Sequence, residues 1–484
     1  MKQSRLSFLI VGFLVLLAWP SAGRAFHTWK KERLANGLTV LVVEKPGAPV
    51  VSVTLLVTHG ATNDPPEKRG LASLTGRLLT AGASQRSGEQ MTERIAALGG
   101  EFVADVSFDS TTLDWTVLKE DLTPALALLA DVVQHPVFPP AEVERERKAM
   151  MAEHPAKAEE APTAFLLRHF FGAGSYGVPV SGEAASLTRI KRQDVVQFHR
   201  RTYRPEETIL ATAGAVTLEE VMTLAKKYFG DWSASEKTTE SLPTLSVKKE
   251  PAVLVANRPL AQATVRLAFV GAPEASPDTP ALVLLSYVLA GSAESRLEQK
   301  LREQKAWVYD VWSDAESFRQ TALFSIGMSV PYEVLLPALE ETIRELTRLQ
   351  AEPVSAAELA RAKQELATRF YFETEQVRDI SRFAAKHEAS THGREPPDHA
   401  LDALRSVTAD AVQRVARIYL GPRQVVVTVL GDSQAVGKYA PSLAQGKLPS
   451  WPLQSEANEQ HATEARSSWM TPEEPSGAQG GNPQ

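Results

Sequence analysis

The chain has 484 residues, 43% of them hydrophobic and 23% charged, with a formal net charge of −6; it can bury large cores, and its length fits about two to four domains. It contains no cysteine, which excludes disulfides, thiol chemistry and Cys-ligated zinc. The acidic balance excludes a surface built for nucleic acid or an anionic membrane.

The amino end reads MKQSRLSFLIVGFLVLLAWPSAGRAFH, with Lys2 and Arg5 ahead of an apolar run from Leu6 to Trp19 and small residues before Ala25. This is the layout of a signal peptide over residues 1–25, and it predicts a periplasmic or secreted protein. The apolar run is shorter than the about 20 residues a bilayer span needs. Cleavage would therefore leave no stable membrane span, and only an uncleaved segment would anchor the chain. It would also remove Lys2, Arg5 and Arg24 and no acid, making the mature charge −9.

LANGLTVLVVEKPGAPVVSVTLLVTHGA reads as two β-rich runs around an Asn-Gly and a Pro-Gly turn. Apolar spacing predicts helices over 71–82, 88–98, 120–134 and 140–153, the last opening after Pro139-Pro140. EFVADVSFDSTTLDWTVL (101–118) and TILATAGAV (208–216) are β-branched and strand-like. GAGSYGVPVSG (172–182) lacks the Lys and Ser/Thr of a phosphate loop and reads as a connection. Residues 233–250 are polar and aperiodic, a linker; the tail 453–484 has the composition of a disordered segment.

The chain on the carboxyl side of the linker repeats the chain on its amino side. FPPAEVERERKAMMAE around Glu142 is echoed by VSAAELARAKQELATR around Glu358, and Asp194, Pro205 and Gly214 are echoed by Asp410, Pro422 and Gly431 at a nearly constant offset of 216 to 217. The chain therefore reads as two homologous α+β halves, 27–232 and 251–440.

One helical stretch raises a chemical question. In GLASLTGRLLTAGA (70–83), Leu71, Leu74, Leu78 and Leu79 point to a core, while Ser73, Gly76 and Arg77 occupy the positions that His, Glu and His would take in an HxxEH zinc helix. Elsewhere, His387 and His392 are five apart, where a helical ligand pair needs four, and read as solvated helix-end residues. His154 lies beside Glu153 in an adjacent helical direction and reads as a surface residue; His59, His135, His169 and His199 are isolated and read as structural.

The order LANGLTVLVVEK, GLASLTGRLLTAGA, HPVFPPAEVERERKAMMAEH, YRPEETILATAGAV and KKYFGDW resembles the inverzincin peptidases of the insulinase, pitrilysin and mitochondrial-processing-peptidase group, over nearly all of 28–440. The resemblance implies two halves, each a mainly antiparallel sheet packed with helices, together forming half of a clam-shaped chamber. It also implies zinc ligands at the positions of Ser73, Arg77 and Glu153 and a general base at Gly76; of these only Glu153 has the family's residue. Val103 stands where the family usually places a substrate-contacting Asn.

In the second half, LAGSAESRLEQKLREQKAWVYDVWS resembles the family's substrate-assisting segment, which places its Arg and Tyr at Arg302 and Tyr309. An Arg can fork onto a substrate carbonyl or carboxylate and a Tyr hydroxyl can stabilise an oxyanion. An exposed helix Arg and a packing Tyr would explain the same residues without chemistry; Trp307 reads as packing. The expectation is a non-catalytic, substrate-binding subunit without cofactor of its own, paired with a homologous HxxEH-bearing, zinc-holding subunit and acting on a peptide or unfolded protein. The alternatives are a stand-alone peptide-binding or scaffold pseudopeptidase and an active metallopeptidase with unrecognised ligands. Arg77 is expected to fork onto Glu153 in place of the metal, with a snorkelling Arg77 and a differently paired Glu153 as the contrary outcome.

Overall fold

The computed structural model describes residues 28–153, 162–233, 245–248, 250–391 and 399–451. The expected signal peptide, most of the linker, the tail, His154 and His392 lie outside the described residues.

Thirteen strands are present among the described residues. They are β1 (Lys30–Arg33), β2 (Thr39–Glu44), β3 (Val50–Val57), β4 (Gly82–Ala83), β5 (Arg86–Ser87), β6 (Phe102–Val106), β7 (Thr111–Leu118), β8 (Thr208–Gly214), β9 (Ala252–Asn257), β10 (Ala263–Gly271), β11 (Val311–Ser317), β12 (Ala322–Val330) and β13 (Val426–Gly431). The first half forms a six-stranded sheet of order β1-β2-β8-β3-β7-β6, the second a five-stranded sheet of order β11-β12-β10-β13-β9. Each is antiparallel except for one pair, β2 with β8 in the first and β9 with β13 in the second. The parallel pair falls at the equivalent place in both, which is the internal repeat written in hydrogen bonds.

Alternation explains why each sheet buries both faces. Val51, Val53, Leu55 and Val57 of β3 join one core with the helices Leu71–Leu78, Leu122–Gln134 and Arg192–Thr202. Val265, Leu267 and Phe269 of β10 do the same with Thr279–Ala290, Leu335–Ala351 and Ala409–Tyr419. The opposite faces are covered by helices from the other half. The helix Val377–Thr391 lays Ala384 and Ala385 on Leu41, Leu56, Ile209 and Ala211 of the first sheet. Reciprocally, the helix Pro162–Phe171 lays Leu166, Leu167 and Phe170 on Ala268, Leu323 and Val426 of the second. The expected boundary at the linker therefore divides the repeat but not the packing.

This exchange corrects the expectation for His387. Instead of being solvated, it is buried about one turn before the end of its helix, edge-on to Trp29 at 5.5 Å between ring centroids. The halves also meet at Asp109, which accepts from Tyr176 Oη at 2.6 Å and from the Arg319 amide at 2.9 Å. Tyr176 belongs to the glycine-rich connection, whose role here is to reach this junction.

Candidate functional site

The helix expected over 71–82 runs from Leu71 to Leu78, and its start is fixed from a distance. Gly70 enters it at φ +94, a conformation L side chains rarely adopt. The buried Asp64 accepts from the Gly70 and Ala72 amides, both at 2.7 Å, so a side chain six residues upstream caps the helix. Burial pushes the Asp64 carboxyl up to about 7, against the downward pull of those amides and of Arg69. The sequence carried little sign of this cap, because an ordinary N-cap immediately precedes its helix.

Leu71, Leu74 and Leu78 are buried, whereas Ser73 and Arg77, one turn apart, lie on the outer stripe. Arg77 crosses to the end of the neighbouring helix Pro140–Glu153. Its Nη1 donates to Glu153 Oε1 at 2.8 Å and its Nη2 to Oε2 at 2.6 Å, a two-pronged fork on the carboxylate. The Arg77 side chain is 36% exposed and that of Glu153 55%, so water reaches both. A dry pocket around Glu153 is therefore not what the pair occupies.

Gly76 is buried, and a Cβ built there would stand 2.6 Å from Val106 Cγ2 of β6. The edge strand packs against the helix at the point where a general base would need its side chain. Hydroxyl, hydrogen and guanidinium at positions 73, 76 and 77 leave one carboxylate, which cannot hold a zinc ion that requires three protein ligands in a catalytic site. The guanidinium already fills that carboxylate's bidentate face. The residues present do not fit the metal, and no group of three or more His, Asp or Glu able to hold one occurs among the described residues.

The second half presents a different surface. A π-helical stretch, Glu298–Gln304, ends near Ala306, whose φ is +50, and delivers Arg302 and Tyr309. Leu301 and Val308 are buried and pin the segment to the core, while Tyr309 is 81% exposed. The Arg302 guanidinium lies 5.7 Å from the Tyr309 ring centroid and pairs with the buried Glu298. Arg302 and Tyr309 are thus brought together at the surface, with Tyr309 Oη free of any core packing. Trp307 packs against the core as half-buried filler, and the Lys305 ammonium lies 4.3 Å from its ring centroid.

Of the isolated histidines, His199 Nε2 donates to Val133 O at 2.9 Å and His169 Nε2 to Glu250 O at 2.8 Å. Burial lowers the imidazoles of His59 and His199 to about 4. Val103 sits on β6, paired with Asp114 of β7.

The sequence matches two family models, "Insulinase (Peptidase family M16)" over residues 39–182 and "Peptidase M16 inactive domain" over 189–366. The chain belongs to the insulinase peptidase family. An uncharacterized zinc protease of Rickettsia felis is 25% identical over 389 residues, covering 79% of this chain and 93% of that one. A probable mitochondrial-processing peptidase subunit beta of Arabidopsis thaliana is 26% identical over 423 residues, covering 84% of this chain and 79% of that one. Two solved structures share the fold: a protease from Helicobacter pylori (TM-score 0.76, 20% identity, 84% of this chain and 100% of that one) and a peptidase M16 inactive domain from Pseudomonas fluorescens (TM-score 0.75, 21% identity, 84% and 98%).

Proposed function

We propose that this insulinase-family chain is the zinc-free, substrate-binding subunit of an exported heterodimeric metallopeptidase, and that it lends Arg302 and Tyr309 to the active site of an HxxEH-bearing homologue. The observation that carries this reading is the asymmetry of the halves. The first has Ser73, Gly76 and Arg77 at the metal positions and a guanidinium on Glu153. The second keeps an exposed Arg and Tyr stacked side by side. On this reading Arg302 anchors a substrate carbonyl or carboxylate with its fork of donors, and the Tyr309 hydroxyl donates to the oxyanion that develops at the scissile carbon. Export rests on the signal-like residues 1–25.

Purified alone, the chain should bind no stoichiometric zinc and cleave no unfolded peptide; chelator-sensitive turnover in a rigorously single-chain preparation overturns the reading. Co-purified with its partner, Arg302→Ala and Tyr309→Phe should each lower turnover about tenfold to a thousandfold, the range for losing an oxyanion donor, with assembly unchanged. Wild-type turnover in both variants assigns the pair a structural role only. Peptide binding with no partner in the native preparation would favour a stand-alone pseudopeptidase.

A further inference from the structure

The segment that delivers Arg302 and Tyr309 is rich in acids, and one of them stands apart. Glu294, Glu303, Asp310, Asp314 and Glu316 are exposed, whereas Glu298 is buried like its neighbours Leu297 and Leu301. A carboxylate taken out of water costs free energy unless a cation meets it. Here the cation is Arg302, whose Nη1 donates to Glu298 Oε1. Only 9% of the Glu298 side chain is open to solvent, against 46% of the Arg302 side chain. In the π-helical stretch Glu298–Gln304 hydrogen bonds run five residues apart, so a step of four is close to one turn and stacks the guanidinium over the carboxylate.

The rest of the segment is fastened elsewhere. Arg296 donates from Nε to Glu358 Oε1 at 2.7 Å, on the helix Ala356–Glu373, and its Nη1 lies 3.8 Å from Glu345 Oε2 on Leu335–Ala351. Lys305 Nζ lies 3.6 Å from Glu341 Oε2 on that second helix. These pairs hold the backbone on both sides of Arg302, which leaves Glu298 a narrower task. Among the described residues its one ion pair is with Arg302.

Glu298 does two things to Arg302. It sets the orientation: held at Nη1, the guanidinium lies 5.7 Å from the ring centroid of the exposed Tyr309 and keeps Nη2 and Nε to offer a ligand. It also sets the charge, because a buried carboxylate at contact distance is little screened by water. A neutral carbonyl needs only the remaining donors; an incoming carboxylate also meets the repulsion of Glu298. Glu303 Oε1 is 3.9 Å from Arg302 Nε, but its side chain is 56% exposed, so water and salt weaken its effect.

We infer that Glu298 is a positioning and specificity-determining residue: it holds Arg302 beside Tyr309 and cancels its charge, so that the site takes a neutral backbone carbonyl of a peptide in preference to a carboxylate. This selectivity rests on Arg302 and Tyr309 serving a partner's active site, as proposed above.

The test uses the complex co-purified with its HxxEH-bearing partner, an unfolded protein as substrate, and two competitors, N-acetylphenylalanine with its free carboxylate and N-acetylphenylalaninamide, its neutral counterpart. Glu298→Gln keeps the shape of the side chain and removes its charge. It should strengthen inhibition by the acid at least about tenfold relative to the amide, the size of a charge-assisted contact. It should also lower kcat about threefold to tenfold with KM little changed, because a displaced donor is missed most where the oxyanion develops. The partner's metal meets the acid alike in both proteins, so the change in ratio isolates Glu298. Glu298→Met, apolar and of similar length, should show the same gain for the acid and keeps the test decisive if Glu298→Gln fails to fold. Glu303→Gln should leave the ratio unchanged within about twofold. Acid and amide shifting together in Glu298→Gln, no shift of either, or an equal effect of Glu303→Gln overturns the inference. Arg302→Ala separates this failure from that of the underlying reading. If Arg302→Ala lowers turnover while Glu298→Gln behaves as wild type, the role of Glu298 alone falls; if Arg302→Ala also turns over as wild type, both fall.

Discussion

The two exchanged helices do the same topological task, and only one of them adds a buried polar network to the apolar contact. Pro162–Phe171 covers the second sheet with apolar side chains, Leu166, Leu167, Phe170 and Phe171 against Ala268, Leu323 and Val426. Val377–Thr391 covers the first sheet with small and apolar side chains too, Ile380, Ala384 and Ala385, but adds a polar seam beside them. Ser381 Oγ lies 2.9 Å from Thr54 Oγ1, and Arg382 reaches Asp114 Oδ2 from Nε at 3.0 Å and Nη2 at 2.5 Å, while Thr54 donates to Asp114 Oδ1 at 2.6 Å. An apolar contact tolerates small shifts; a buried carboxylate accepts only a donor in the right place. The difference teaches that the first half, which carries Ser73, Gly76 and Arg77, is docked by area and by a specific polar register, and the second half mainly by area.

The largest expected effect is on the apolar side. Phe170 is fully buried, so Phe170→Ala should cost about 3–5 kcal/mol through lost transfer energy and the cavity left behind. Hydrogen exchange should show the second sheet loosening first. Equal loosening of both sheets would mean that the exchanged helices act as one unit.

The polar seam should respond next. Asp114 is 1% exposed while the Arg382 side chain is 34% exposed, so Arg382→Ala should cost about 2–3 kcal/mol, below the figure for a fully dry pair. Replacing both by leucine should cost less than Arg382→Ala alone, because the stranded carboxylate disappears with its partner. Urea unfolding of the three variants checks this, and a double variant worse than the single one breaks the polar-versus-apolar contrast.

Much of this was legible in the chain itself. The offset of 216 to 217 between echoed segments announces two equivalent halves, and the leucine spacing in 71–78 gives the helix and its buried face. The identities of Ser73, Gly76 and Arg77 show that these three positions offer no imidazole or carboxylate, since ligand chemistry depends on residue type. What could not be read was which sheet a helix covers. Val377–Thr391 is amphipathic whichever core it joins, and burial of His387 against Trp29 depends on a residue more than three hundred positions away. The Asp64 cap escaped for the same reason: it is made through the fold and not through adjacency.

Acid offers a subtler probe of the same contrast. The imidazoles lowered by burial, His59 and His199, both belong to the first half. For His199 the folded value of about 4 lies below the ordinary 6.5, so the unfolded chain takes up the proton first as pH falls. Its contribution is complete above about pH 6.5 and is lost between there and about pH 4, with a limiting slope of about 1.4 kcal/mol per pH unit. Asp64, raised by burial, runs the other way, which makes a difference measurement necessary. His199→Phe should flatten the stability profile between pH 4 and 6.5 relative to the unsubstituted chain. An unchanged slope would mean that His199 protonates in the folded state as readily as outside it.

The smallest effect concerns the pair that stands at the metal positions. Arg77 and Glu153 make an ideal fork, with contacts of 2.8 and 2.6 Å, and geometry alone would suggest a strong link between the two helices. Exposure argues otherwise: with 36% and 55% of the side chains open to solvent, water and salt screen the attraction, and both groups stay hydrated when unpaired. A double-mutant cycle with Arg77→Ala and Glu153→Ala should therefore give a coupling of about 1 kcal/mol or less, shrinking as salt is raised. Loss of Arg77 alone should not exceed loss of both, as it would if Glu153 were stranded in a dry pocket. A salt-insensitive coupling of about 3 kcal/mol or more would show that the site excludes water after all, and would make the guanidinium a true structural replacement for a metal ion.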